Sequence, residues 1–463
     1  MSKNIAIIGS GFLGLTLALR LAEAGKQVTV YESAPEIGGL ASAWQIGDVV
    51  WDKHYHVTLL SDAFTRKIVE EIGLGDEFEW VETRTGFYTD GKLVSMSNAL
   101  EFLQFPPLDL IGKFRLGATI FYASRVKDWK RLEAISVEDW LTKLSGKKTF
   151  EKMWKPLLKA KLGEAYKETS AAFIWATIQR LYAARNSGLK REMFGYVRGG
   201  YGRVLGKFGE HLRAKGVEFR LNSRVEKIEK IEDKVRISTS ETRENYQAEI
   251  QSNLLQNFSQ VSVRSISTAA ESFSEFDKVI LTCPSNVAAK ILPQLSAEEK
   301  ATLSNIKYQG IVCASVLMKK SLSDFYVTNI TDETPFTGII EMSALVDKSE
   351  FGGNALVYLP KYVAPDDELF EKADDEIRET FLAALEKMYS HFRRADVLEF
   401  KVSRVRQVFA LSTLNYSDNV PPFKTSLENV FLVNSAQITN GTLNVNETVA
   451  LAERASVELK QMR

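Results

Sequence analysis

The chain of 463 residues is poor in the residues from which metal and disulfide chemistry is built. It has two cysteines, Cys283 and Cys313, each inside an apolar run. Neither a disulfide framework nor a CxxC metal site follows from them, and a reducing, cytoplasmic setting is the expectation. Net charge is lacking as well: 59 Lys plus Arg balance 59 Asp plus Glu, leaving no global field to recruit nucleic acid. No window reaches the ~18 uninterrupted apolar residues that a membrane span requires. The short apolar run in MSKNIAIIGSGFLG is broken by glycine and continues into a helical pattern, so it reads as a first strand and not as a signal peptide. Histidine is scarce too, with four residues, yet two of them, His54 and His56, fall within Trp51-Asp-Lys-His-Tyr-His56. On a strand such a pair shares one face, but Asp52 is the only carboxylate in register, so no metal site is expected.

What is present begins at the N-terminus. The β-branched run Ile5 to Ile8 is followed by Gly9-Ser-Gly11-Phe12-Leu-Gly14, then by helical periodicity to Gly25, then by a second strand over residues 27–31 that ends at Glu32. Strand, glycines, helix, strand and acid together form a dinucleotide fingerprint: a tight turn, a close approach of backbone to pyrophosphate, and helix-on-strand packing. Glu32, about twenty residues beyond the glycines, is placed for ribose hydroxyls. Two further glycines, Gly38 and Gly39, come just past the second strand, where a long extended cofactor needs another close backbone approach.

These residues resemble the superfamily of flavin amine oxidases, protoporphyrinogen oxidases and phytoene desaturases, in which an acid is followed by Gly-Gly-Arg and a strand near the flavin. Leu40 stands where that arginine is expected. The resemblance implies FAD, an α/β fold with a Rossmann-type FAD-binding domain, and an interleaved mixed-sheet substrate domain with a helical insertion. It divides the chain into FAD-binding parts at 1–100, 191–300 and 416–463, a helical insertion at 101–190, and a substrate-domain sheet and helix at 301–415. Further motifs carry it. Gly195-Tyr-Val-Arg-Gly199-Gly200 resembles the segment that in this superfamily returns the chain to the FAD domain, which implies that the backbone of Val225 holds the adenine. Asn434-Ser435 replace the Gly-Asp that binds the ribityl chain. A closing helix, capped by Asn444 or Asn446 near Val445, points its positive end at the isoalloxazine.

Local patterns fill in the rest. Residues 63–72 read as a helix, Tyr88-Thr-Asp-Gly91-Lys as a hairpin, and Ser136 with Gly146 as the two ends of another helix. A helix is predicted over 204–215, a strand pair over 217–221 and 223–228, a β-meander over 239–275, a buried parallel strand from Phe276 towards Pro284, strands over 312–317 and 355–359, and a helix over 366–388. In the helical block, Phe105, Leu108, Phe114, Phe121 and Tyr122 lie beside Lys113, Arg115, Arg125, Lys127 and Lys130. Two readings stay open there: a packed helix with a solvated basic side, or peripheral contact with anionic lipid.

The resemblance implies an FAD-dependent oxidoreductase that removes hydride from an apolar or amine small-molecule substrate to flavin N5. The alternative is a non-redox isomerase of the UDP-galactopyranose mutase type. By the same pattern His56 is the catalytic candidate at the flavin, with His54, Tyr196 and Arg198 on the substrate. Trp154, Trp175, Tyr182, Arg180 and Arg185 are further pocket candidates. Substrate identity, electron acceptor and oligomeric state are not written in the sequence.

Overall fold

A computed structural model describes residues 3–185, 193–241 and 272–461. Five parallel strands form the first sheet, in the order Glu218–Arg220, Gln27–Tyr31, Asn4–Ile8, Lys278–Leu281, Val430–Leu432. The apolar runs of the last four are buried on both faces, as parallel strands covered by helices must be, while the edge strand Glu218–Arg220 is largely exposed. The helices Phe12–Glu23, Gly200–Ala214 and Val445–Gln461 pack their apolar sides on this sheet. Beside it lies an antiparallel sheet of Ser223–Ile231, Lys234–Glu241 and Ser272–Phe276. The segments expected as one strand pair at 217–228 therefore part company at the positive-φ residue Asn222, the first joining the parallel sheet and the second the antiparallel one. Most of the expected β-meander, residues 242–271, lies outside the described residues.

The second large sheet has seven strands, ordered Val397–Ala410, Tyr308–Met318, Ala355–Val363, Gly338–Glu341, Val327–Ile330, Thr85–Thr89, Lys92–Ser95. The last two form the expected hairpin, turned by Asp90 and Gly91 at φ 51° and 70°. The hairpin was assigned by sequence to the first nucleotide segment; it instead extends this sheet, because Thr85–Thr89 pairs in parallel with Val327–Ile330 and Asp332 accepts both turn N–H groups. Alternate residues of Tyr308–Met318 face opposite ways. Val312, Ala314 and Val316 meet the helix Asp374–Met388, while Ile311, Cys313 and Leu317 face the helical block and the first domain. The predicted start of that helix at 366 is corrected to Asp374, because Asp367 caps a separate short turn, Glu368–Phe370, that buries Phe370.

Between Ala99 and Arg185 the described elements are helical. Ser136 caps Val137–Ser145 and Gly146, at φ 85°, ends it, as the sequence implied. Among the described residues no helix is long and apolar enough to cross a membrane.

Three helices of the nucleotide side are tied by one guanidinium. Arg20, with its side chain 8% exposed, binds Glu23 at 3.0 Å, Glu71 at 2.8 Å and Glu453 at 2.6 Å, and these carboxylates hold it well above the ordinary arginine range. Arg20→Met leaves three clustered carboxylates without their cation and is expected to lower stability by on the order of 3 kcal/mol in urea unfolding. An unchanged midpoint would show that the helices hold together without it.

Candidate functional site: a dinucleotide cradle facing an aromatic cleft

The glycine loop after the first strand is shaped from both sides. A Cβ on Gly9, where φ is 108°, would lie 2.5 Å from Thr282 Oγ1, and one on Gly14 would lie 2.0 Å from the Gly9 carbonyl oxygen. At Gly11 nothing comes within 4 Å, so the missing side chain leaves open space at the start of the helix Phe12–Glu23. No side chain caps that helix, so its first N–H groups point into this space. Gly38 donates to the Ser10 carbonyl at 2.9 Å, and a Cβ on Gly39 would sit 3.3 Å from Gly11 Cα. The two glycine loops thus touch and together make one backbone cradle for an extended diphosphate.

Glu32 accepts from Ser10 N at 2.9 Å, Ser10 Oγ at 2.7 Å and Ala34 N at 2.9 Å, which fixes its carboxylate beside the cradle with acceptor capacity left over. Val225 is buried next to a bulge that interrupts its strand pairing before Lys227. Phe12 corrects an expectation: its ring is core, edge-on to Tyr201 at 5.5 Å, and only its backbone belongs to the cradle. Leu40 gives its carbonyl to His54 Nδ1 at 3.3 Å and offers no charge.

Residues 52–56 run from the first domain to the second sheet. Asp52 is buried and accepts the Tyr201 N–H at 2.8 Å at the start of the helix Gly200–Ala214; burial pushes its carboxyl up to about 8 against that bond. Tyr358 donates its hydroxyl to the Asp52 carbonyl at 2.5 Å. Tyr55 and Tyr362 share a hydroxyl–hydroxyl bond of 2.8 Å. His54 Nε2 meets Ser403 Oγ at 3.1 Å on the outer strand of the seven-stranded sheet.

The histidines are not on a strand and do not share a face, which corrects the i, i+2 reading: the strand ends at Asp52 and the next begins at Thr58. His56 turns the other way from His54, packing on Tyr201 at 5.1 Å, with Nδ1 at 2.9 Å from the His54 carbonyl and 3.8 Å from Asp52. It lines a cavity of about 10 Å³, one water in size, with Trp51, Thr58 and Tyr201. Burial depresses both imidazoles to about 4, so both are neutral at pH 7. Among the described residues no three His, Cys, Asp or Glu cluster as metal ligands.

The C-terminal loop completes the wall. Asn434 is buried and locked, donating to the Cys283 carbonyl at 3.0 Å and to Ser285 Oγ at 3.1 Å. Ser435 is half-buried; its carbonyl accepts the Ile438 N–H at 3.2 Å, and its hydroxyl has no hydrogen-bond partner among the described residues. Asn444 caps Val445–Gln461 by accepting Glu447 N at 3.0 Å. Asn446 does something sequence did not indicate: its Oδ1 takes Phe64 N at 2.9 Å and Thr65 N at 3.3 Å, capping the helix Ala63–Glu71 from outside.

Tyr196 and Arg198 lie away from the aromatic wall. Both line a surface cavity of about 490 Å³ with Glu79, Asp347 and Glu350, where Arg198 is held by Glu79 at 2.7 Å, and Tyr196 also lines the small cavity beside His56. Trp154 and Trp175 are core, bonded to Ser145 and to the Val126 carbonyl. Arg180 is held by buried Asp62 at 2.9 Å; the Arg185 side chain lies outside the described residues.

A two-loop glycine cradle on a parallel sheet, opposed by a second sheet across an apolar cleft, defines a two-domain dinucleotide-dependent protein. The chain belongs to the family of flavin containing amine oxidoreductases, which it matches over residues 14–459, and FAD is the cofactor of that family. It is 24% identical to a probable zeta-carotene desaturase of Synechococcus elongatus over 49% of this chain and 51% of that protein. The chain spans about half the length of the first curated relatives it matches. Among solved structures it superposes on a putative protoporphyrinogen oxidase from Exiguobacterium sp. 255-15 with a TM-score of 0.73 at 16% identity, covering 100% of both chains. It also superposes on a reduced UDP-galactopyranose mutase with a TM-score of 0.70 at 12% identity, covering 99% of this chain and 94% of the other.

Two outcomes follow from the geometry. Gly11→Val adds a side chain to space that the protein leaves empty, so the variant should fold normally yet lose FAD on gel filtration; FAD retention equal to the native protein would show that the cradle is not the diphosphate site. Unfolded His54 takes a proton at an ordinary 6.5, whereas the folded residue resists until about 4. Its contribution is therefore full above 6.5 and is lost as pH falls towards 4, at about 1.4 kcal/mol per pH unit. In His54→Gln the acid-side fall of the melting temperature should be shallower by that one proton; an identical slope would mean His54 is already protonated in the fold.

Proposed function

We propose that the chain is an FAD-dependent oxidoreductase that takes hydride from an apolar or amine substrate. The observation that supports it best is the meeting of three parts at residues 52–56: the loop at Leu40 beside the glycine cradle, the start of the helix Gly200–Ala214 and the tyrosine-lined face of the seven-stranded sheet. Bound there, FAD supplies a hydride acceptor at N5.

The protein's part is orientation, electrostatics and dryness. Backbone N–H groups from Gly11 onward hold the diphosphate, Glu32 the ribose, the Val225 backbone the adenine and Ser435 the ribityl chain. The positive end of Val445–Gln461, fixed by Asn444, favours negative charge at its tip. His54 binds the loop at Leu40 to the opposite sheet and so sets the width of the cleft. His56, with Nδ1–H given to a carbonyl, presents Nε2 as an acceptor; neutral at pH 7, it positions a donor and does not deliver a proton. Tyr55, Tyr358 and Tyr362 exclude water from the reacting carbon.

The isomerase alternative has weaker support. A nucleotide-sugar diphosphate needs more than one unpaired cation, and both arginines expected near the substrate, Arg180 and Arg198, are already engaged by Asp62 and Glu79.

Peripheral membrane contact is part of the proposal, with its residues revised. Phe105 and Leu108 are core and Lys113 is buried, giving its ammonium to the Leu103 carbonyl at 2.7 Å, whereas Leu110, Ile111 and Phe114 are 76%, 73% and 76% exposed. Exposed Arg115 follows Phe114 on the same helix and bonds the carbonyls of Lys143 and Leu144, a pattern suited to anionic lipid. Flotation with phosphatidylserine vesicles is expected to carry the native protein and to leave Ile111→Glu/Phe114→Glu behind; equal flotation would assign the patch another role.

The redox reading is tested by anaerobic mixing of FAD-loaded protein with amines and with polyenes. Bleaching of the oxidised flavin by one class is expected, about 10²-fold slower in His56→Ala with FAD still bound, as the loss of a positioning contact costs. No bleaching, together with turnover of UDP-galactopyranose after dithionite reduction, would transfer the chain to the isomerase class.

A further inference from the structure

The helical block brings to the cleft a lysine that no carboxylate neutralises among the described residues. A π turn at Phe150–Trp154 precedes the helix Lys155–Leu162, whose second residue, Pro156, has no N–H to give to a preceding turn. This helix packs against Ala355–Val363 and brings Lys161 Nζ to 3.8 Å from the centre of the Tyr362 ring and 5.1 Å from that of Phe409. Neighbouring Lys159 and Lys167 share Glu164 at 2.6 and 2.7 Å. Lys161 has no carboxylate within 4.0 Å among the described residues. Two ring faces attract an ammonium but replace only part of its hydration, and burial lowers its pKa to about 7.

A second donor stands in the same layer. Gln309 is 2% exposed, lies opposite Phe409 in the sheet, and its Nε2 is buried with no partner. That nitrogen is 3.7 Å from where a Cβ of Gly163 would be, in the turn that ends the Lys161 helix. A charged and a neutral N–H donor, both lacking acceptors, flank the wall formed by Tyr55, Tyr362 and Phe409.

We propose that Lys161, with Gln309, receives a carboxylate on the substrate, so that the substrate is an apolar acid whose hydrocarbon body lies along the tyrosine wall. This rests on the oxidoreductase reading of the cleft and narrows it. A carboxylate has only acceptors, two of them, and supplies the counter-charge that the ammonium lacks. A neutral carbonyl would satisfy Gln309 and leave Lys161 bare. A protonated amine would meet a like charge at the cleft.

The test titrates FAD-loaded protein with octanoate, laurate and oleate, each against its matched primary alcohol, reading perturbation of the flavin spectrum. The native protein is expected to bind at least one acid about tenfold or more tightly than its alcohol, as one charge-assisted pair provides. Lys161→Met should abolish that preference while FAD content, melting temperature and alcohol affinity stay as they were, and Gln309→Leu should reduce it. Acid and alcohol bound alike in every pair, an absence of binding by all three acids, or an acid preference that survives Lys161→Met would overturn the assignment. Protein that does not retain FAD would instead overturn the functional reading on which it rests.

Discussion

The structure depends on the buried hydrogen bonds that hold residues 52–56 between two sheets. In five residues this segment gives a carboxylate to the helix Gly200–Ala214, a carbonyl to Tyr358, an imidazole to Ser403 and a phenol to Tyr362. Each of these groups is costly to bury unpaired, so the two domains cannot drift apart without orphaning either the Asp52 carboxylate or the three groups bonded to the second sheet. The cleft is therefore held at one width. That suits a cofactor whose ring must meet a substrate within reach of hydride transfer.

The same burial sets the charge state of the cleft. His54 and His56 are pressed towards neutrality, and Asp52 is pushed towards its protonated form. Removing ionised groups from the protein's side of the cleft keeps water out of it and leaves the bound cofactor and substrate as the principal charges there. Against that background a lysine with no carboxylate partner stands out, because the surrounding residues have been arranged to avoid such a group.

Much of the nucleotide half was legible because its signals are local. Gly9, Gly11 and Gly14 follow from spacing alone, each glycine sitting where a Cβ would strike the Thr282 side chain, fill open space or strike backbone. The Asp90-Gly91 turn was readable for the same reason, but the partner of its hairpin, some 240 residues on, was not. The histidine pair was misread because a period of two assumes a continuous strand, and the strand stops at Asp52. Lys161 was invisible: in Leu-Leu-Lys-Ala-Lys-Leu it looks like any solvated helix lysine, and only tertiary packing against Tyr362 distinguishes it from Lys159. Phe12 and Lys113 erred in the opposite sense, since a side chain next to a motif need not face the same way as its backbone.

Helix termini show how the fold reserves a place for an anion. Four helices start around the loops described above, and a helix start carries unpaired N–H groups and partial positive charge. At Gly200–Ala214 this is met by Asp52, at Ala63–Glu71 by Asn446, and at Val445–Gln461 by Asn444, in the first two cases by a residue distant in sequence. Phe12–Glu23 alone of the four receives no side chain, and the residue before it is a glycine facing open space. A protein that recruits caps across 149 and 382 positions to satisfy its other helices has not left this one bare through lack of polar residues. Ser10 and Glu32, the nearest candidates, are bonded to each other instead. The uncapped start is thus kept clear by two glycine loops and by the mutual engagement of its polar neighbours, and in the proposed function the group that would complete it is the diphosphate of FAD.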